Sequence, residues 1–180
     1  MKNTLLVGGS GGQGVMSVGT MLAESAAENG KYATFMPVYG PEQRGGSARC
    51  TVIISDDEIM SPLPKKVKTL IAMNEQSYKK FINELEEGGI LVMNSSRVTS
   101  TVAREDIRIV SLPADDIALE TGNIRNANIV MIGAYLASTG AMDPAEFMKS
   151  LEHKFKNKPE VIEQNRKALD KGAEIGKQTS

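Results

Sequence analysis

Apolar residues along this chain come in short runs separated by glycine, proline and paired acids, and their spacing alternates between a strand-like and a helix-like period. Thr4-Leu5-Leu6-Val7 is a continuous apolar run stopped by glycine, the pattern of a parallel strand buried on both faces. Past a glycine-rich loop, Val15, Val18, Leu22 and Ala26 recur at helical spacing, and Gly30 stands where a C′ glycine ends a helix. Tyr32 to Val38 predicts a second strand. The β-branched stretch Ala48 to Ser55 predicts a third, closed by Asp56-Asp57, with Ser61-Pro62-Leu63-Pro64 a rigid connector beyond it. Leu70 to Met73 (strand), Gln76 to Leu85 (helix), Gly88-Gly89 (turn) and Ile90 to Met93 (strand) make one βαβ unit, and Ile107 to Val110 a further strand. From Asn126 onward the pattern is helical throughout. Val161, Ile162, Leu169 and Ala173 form an apolar stripe on the last helix, which either packs on its own domain or docks a partner.

This alternation predicts an α/β fold: a three-layer, Rossmann-like domain with a mainly parallel sheet flanked by helices and a helical C-terminal portion. A length of 180 residues suits a single domain over 1–180, and 41% apolar with 24% charged residues is enough to bury a core. The 21 Lys+Arg against 22 Asp+Glu give a net charge of −1, without the basic excess of a nucleic-acid binder. A single cysteine, Cys50, excludes a disulfide framework and any iron–sulfur cluster or zinc site held by several thiolates of this chain alone. With one histidine, His153, there is no His-rich metal site either. Redox centres, if the function needs them, belong to another chain. Leu5-Leu6-Val7 is broken by Gly8-Gly9, too soon for a signal peptide. The run Ile129 to Ala137 falls well short of the roughly 20 residues that span a bilayer. The expectation is a cytoplasmic protein that binds neither membrane nor nucleic acid.

Ten of the 17 glycines fall in the first 46 residues, five of them between Gly8 and Gly14. Gly9, Gly11 and Gly14 satisfy G-x-G-x-x-G between a strand and a helix. Such a loop, with Gly12 and Gln13 inside it, permits positive φ and presents backbone amides at a helix N-terminus, where phosphate or another anion is held. The alternative is that the glycines only let helix and strand, or a neighbouring chain, pack closely. A dinucleotide site needs an acid at the end of the second strand to hold the ribose, and Tyr32 to Val38 contains none. A P-loop is excluded, because no Gly-Lys-Ser/Thr follows. A free-standing nucleotide-binding reductase is the competing reading.

Gly40-Pro41-Glu42-Gln43-Arg44-Gly45-Gly46-Ser47 follows the second strand, at the same carboxyl edge as the first loop. Arg44 is a fork of donors suited to carboxylate or phosphate, with Gly45 and Gly46 exposing amides beside it. The alternative is a plain surface turn with a Glu42–Arg44 ion pair. Cys50 reads as core filling, His153 as an exposed helix residue, and Asn74 and Asn128 as helix N-caps.

Gly-Gly-Ser-Gly-Gly-Gln-Gly (8–14), Tyr-Gly-Pro-Glu-Gln-Arg-Gly-Gly (39–46) and Cys-Thr-Val-Ile-Ile-Ser (50–55) together resemble the γ subunit of 2-oxoacid:ferredoxin oxidoreductases, most closely the 2-oxoglutarate synthase branch. Ser61-Pro62 and the segment Asn126 to Leu136 extend the resemblance over most of the chain. It implies a subunit, inactive alone, of an enzyme that oxidatively decarboxylates a 2-oxoacid to its acyl-CoA and passes electrons to ferredoxin. Pyruvate, branched-chain and indolepyruvate versions are the variants. It further implies α, β and δ-type partner subunits carrying thiamine diphosphate and iron–sulfur clusters, with this chain lacking a Gly-Asp-Gly thiamine diphosphate signature. A coenzyme A pyrophosphate or a substrate carboxylate would be contacted through Gly9, Gly11, Gly12, Gln13, Gly14, Arg44, Gly45 and Gly46. The resemblance assigns no catalytic residue and no metal ligand to this chain.

Overall fold

In chain order the elements are β1 (Lys2–Ser10), α1 (Val15–Glu28), β2 (Tyr32–Tyr39), β3 (Ser47–Ser55), β4 (Val67–Ala72), α2 (Glu75–Phe81), β5 (Leu85–Asn94), β6 (Arg108–Leu112), α3 (Ala114–Glu120), α4 (Ala127–Thr139), α5 (Pro144–Lys154) and α6 (Pro159–Gln178). Short 3₁₀ turns at Ile82–Glu84 and Ile124–Asn126 precede β5 and α4. This computed structural model describes residues 1–39 and 46–178; the segment 40–45, with Arg44 and Gly45, lies outside the described residues.

The six strands form one sheet in the order β2-β3-β1-β4-β5-β6. β1, β4, β5 and β6 are mutually parallel, and β3 runs antiparallel between β1 and β2. The sheet is therefore α/β and mostly parallel, as the sequence predicts, with one reversed strand.

Alternation along the strands feeds two cores, because successive side chains point to opposite faces. Leu5 and Val7 of β1 join Ile71, Val92 and Val110 beneath α1, α3, α4, α5 and α6. Leu6 joins Leu70, Leu91 and Phe81 on the thinner side, covered by α2. Helix α4 is apolar all round and buried from Ile129 to Leu136, so another helix has to cover it. α6 does so with Leu169 and Ala173 buried and Val161 and Ile162 half-buried. Their backbones nearly touch: a Cβ on Gly172 would lie 1.9 Å from the Val130 carbonyl oxygen. The apolar stripe of the last helix is thus spent on its own domain.

Three local expectations are corrected. The helix predicted over Gln76 to Leu85 stops at Phe81, because Leu85 is taken up by strand pairing opposite Val67. Gly88-Gly89 belongs to β5 rather than to a free turn. The register shifts between Val67 and Thr69, and the intervening residues of β5 bulge outward, with Gly88 at φ +74°. Between β6 and α4 the chain forms α3, whose Ala114, Ile117 and Ala118 follow the i, i+3, i+4 spacing of a buried helical face.

Candidate anion-binding site at the sheet edge

Strand register brings the ends of both loops together. Ser10, at the end of β1, lies opposite Ser47 at the start of β3, and Ala48 pairs with Gly9 on one side and Tyr39 on the other. Gly46 therefore adjoins the row that leads into the first loop. β3 also separates β1 from β2 by two strand spacings, roughly 10 Å. An acid at the end of β2 would not reach a ribose seated over the first loop, which removes the geometry of an ordinary dinucleotide site.

Within the first loop, Gly12 and Gly14 have φ of +87° and +76°. A Cβ on Gly11 or Gly12 would meet nothing within 4 Å, so this backbone faces open space. Gly9 is different. A side chain there would collide with Val15, Gln13 and Met73, so Gly9 serves packing. Gly14 is the N-cap of α1, with no side-chain cap and no acid in the first turn, so the helix presents free amides to whatever lies over it.

Gln13 spends its amide on the loop itself. Its Oε1 accepts hydrogen bonds from Ser10 N (2.8 Å), Ser10 Oγ (3.0 Å) and Asn74 Nδ2 (2.8 Å), and its Nε2 donates to the Met73 carbonyl. Asn74 in turn caps α2 in a reciprocal box with Ser77, the capping role its position predicts. Asn128 does not cap. It lies inside α4, where its Oδ1 accepts from Ile129 N, and the N-cap is Asn126. Asn128 instead abuts the loop: a Cβ on Gly14 would come 2.7 Å from its Nδ2.

Two groups of cations flank the edge. Arg97 and Arg125 line a small cavity of about 140 Å³ with Gly12, Gln13, Met73 and Asp115. Fully buried Asn94 donates to Asp115 Oδ1 and accepts from Ala114 N, fixing the carboxylate that grips Arg97 Nε at 2.5 Å. Arg125 has no ion-pair partner among the described residues. On the other face, Arg49 lies over the Phe81 ring, 5.0 Å from its centre, and makes a two-bond pair with Glu84. Lys80 flanks the same ring and donates to Ser47 Oγ at 2.6 Å. Sequence reading missed Arg49, Lys80, Arg97 and Arg125. Arg49 carried a signal, as a cation at a strand position next to the second loop. The others are scattered over the chain and meet only in the fold.

The edge thus combines open glycine backbone, a helix N-terminus and cations, an arrangement that attracts phosphate or carboxylate. Among the described residues no three His, Cys, Asp or Glu side chains gather as a ligand set. Cys50 is buried in the core, and burial pushes its thiol up to about 12, so it offers no thiolate to a cluster. His153 is exposed on α5. Among the described residues no helix is long and apolar enough to cross a membrane.

The family model described as "Pyruvate ferredoxin/flavodoxin oxidoreductase" matches residues 4–175. The chain belongs to that family. It is 34% identical over 184 residues to the 2-oxoglutarate synthase subunit KorC of Methanothermobacter marburgensis, covering 97% of each chain. It is 36% identical over 169 residues to the ketoisovalerate oxidoreductase subunit VorA of Methanothermobacter thermautotrophicus, covering 93% of this chain and 35% of that one. The chain therefore spans about a third of the length of the VorA subunits it matches. The crystal structure of the keto/oxoacid ferredoxin oxidoreductase gamma subunit from Geobacter sulfurreducens superposes with a TM-score of 0.88, at 29% identity over 99% of this chain and 98% of the other. The resemblance drawn from the two loops and the overall fold are both borne out.

Proposed function

We propose that residues 1–180 act as one γ-type domain, the γ subunit of a cytoplasmic, multi-subunit enzyme that oxidatively decarboxylates a 2-oxoacid to its acyl-CoA with ferredoxin as acceptor. The observation that carries this reading is the reciprocal, end-to-end match to KorC, 97% of each chain, which favours 2-oxoglutarate as substrate. The 36% identity to VorA supports a branched-chain 2-oxoacid as the second reading. Thiamine diphosphate and iron–sulfur clusters would supply decarboxylation and electron transfer from α, β and δ-type partners, a reading supported by the single cysteine of this chain and its lack of a Gly-Asp-Gly signature.

This chain's own part is binding. The amides of Gly11, Gly12 and Gly14, with Gly46 across the edge and with Arg44 and Gly45 of the second loop, would receive an anionic group of coenzyme A. Gln13 holds the first loop in shape and Gly9 lets it pack. Arg125 and Lys80, which form no ion pair among the described residues, add positive potential.

The test is co-purification with the partner subunits, followed by turnover assays with 2-oxoglutarate, 2-oxoisovalerate, pyruvate and indolepyruvate, with and without this chain. Loss of acyl-CoA formation on omission, with 2-oxoglutarate turned over fastest, is the expected result. Full activity of the assembly without this chain ends the proposal.

A further inference from the structure

A second cavity lies behind the glycine loop, between α1, the turn before α4, the end of α5 and the start of α6, with a volume of about 410 Å³. That is the size range of small-molecule sites. One amide side chain on its wall is nearly buried and unpaired. Asn165 is only 4% exposed yet makes no side-chain hydrogen bond among the described residues. Asn126 Nδ2 also lacks an acceptor among the described residues, but it is shut off from solvent and so from the cavity. An unpaired amide facing a cavity marks a place where a partner with acceptor atoms belongs.

The charges specify the partner further. Lys154 at the rim is neutralised by Glu24 at 2.8 Å, and no acid lines the cavity. Of the two cations lining the cavity, Arg125 has no ion-pair partner among the described residues and is a planar fork that matches a carboxylate. Met16, Phe155 and Val161 supply apolar walls. We propose that this cavity binds a small organic monoacid, with its carboxylate on Arg125, an oxygen accepting from Asn165, and an aromatic or branched body against Met16 and Phe155.

Phenylacetate serves as the probe, phenylacetamide as its uncharged isostere and inorganic phosphate as the anion without an apolar body. Each is titrated into the 180-residue chain by calorimetry and by following the side-chain amide NMR signal of Asn165. Phenylacetate is expected to saturate one site in the millimolar range or tighter and to shift that signal, with phenylacetamide at least tenfold weaker and phosphate unable to displace it. Arg125→Gln should weaken phenylacetate about tenfold or more, since hydrogen bonds to charged groups are the strong ones. Asn165→Leu should do the same without lowering the melting temperature, because no hydrogen bond is lost. If Asn165→Leu does not fold, Thr20→Leu, which narrows the cavity from α1, replaces it with the same expected loss of binding. No saturable binding, equal affinity for phenylacetamide, or shifts confined to Gly11 and Gly12 would overturn the proposal, leaving water as the occupant. These titrations need no partner subunit, so failure of the reconstitution above has no bearing on them.

Discussion

Gln13 Oε1 accepts a hydrogen bond from Asn74 Nδ2 at 2.8 Å, and this bond ties the glycine loop to the cap of α2. One oxygen thus serves β1, the loop and α2 at once, since Ser10 N and Ser10 Oγ donate to it as well. Replacing Gln13 with alanine leaves those donors without their acceptor. The expected cost is about 2 kcal/mol, with a fall in Tm of roughly 4–8 °C. Hydrogen exchange of the amides at Gly11 to Gly14 should rise more than exchange in β4, and equal protection throughout would contradict the strap.

Gly172→Ala should be among the most damaging single changes in the molecule. Its Cβ would press on the Val130 carbonyl at 1.9 Å, and rigid backbone on both sides cannot yield. A loss of about 3 kcal/mol or more is expected, against less than about 0.5 kcal/mol for the exposed Lys171→Ala. Urea denaturation of the two variants measures the difference.

The Arg49–Glu84 pair spans the thinner face and stacks on Phe81. Both partners are about one-third exposed, so solvent screening keeps their coupling modest. A double-mutant cycle with Arg49→Met and Glu84→Gln should give about 0.5–1 kcal/mol, shrinking as salt is added. A coupling unchanged between low and high salt would refute an electrostatic origin.

Glu75 accepts from Thr99 N, Ser100 N and Ser100 Oγ and pairs with Lys79, and the Ser100 hydroxyl bond leads in lowering its pKa from 4.5 to about 2. Asp56, bonded by Lys31 and the N-terminus, is also lowered to about 2. A carboxylate with a depressed folded pKa contributes stability that is present above its unfolded pKa and lost as pH falls toward the folded one. Stability should therefore fall between about pH 4.5 and 2. Glu75→Gln should flatten that limb in an acid titration followed by circular dichroism.

Cys50, held at about 12 by burial, should resist thiol reagents at pH 8. Labelling by Ellman's reagent is expected only at the rate of global unfolding. Prompt reaction of the native chain would place the thiol nearer the surface than β3 does.

Much of this molecule was legible in the residues alone. Glycine-stopped apolar runs gave the order of strands and helices, because a buried parallel strand must be apolar on both faces. The paired glycine loops carried the family, because few residues other than glycine accept positive φ, as at Gly12 and Gly14, or the crowding at Gly9. The single cysteine and single histidine already excluded a metal site built from several thiols or imidazoles of this chain alone. Pairing and convergence were not legible. That β3 reverses and inserts between β1 and β2 depends on which edges find each other, and local periodicity is the same for either direction. Leu85 left its helix because Val67 captured it. Arg97, Arg125, Asn126 and Asn165 have no pattern in the sequence. Only the close docking of α6 on α4, through Gly133 and Gly172, and the turn before α4 bring those cations and amides around shared cavities. Local composition fixes what each segment can become; the surroundings of a side chain are set by segments far away in the chain.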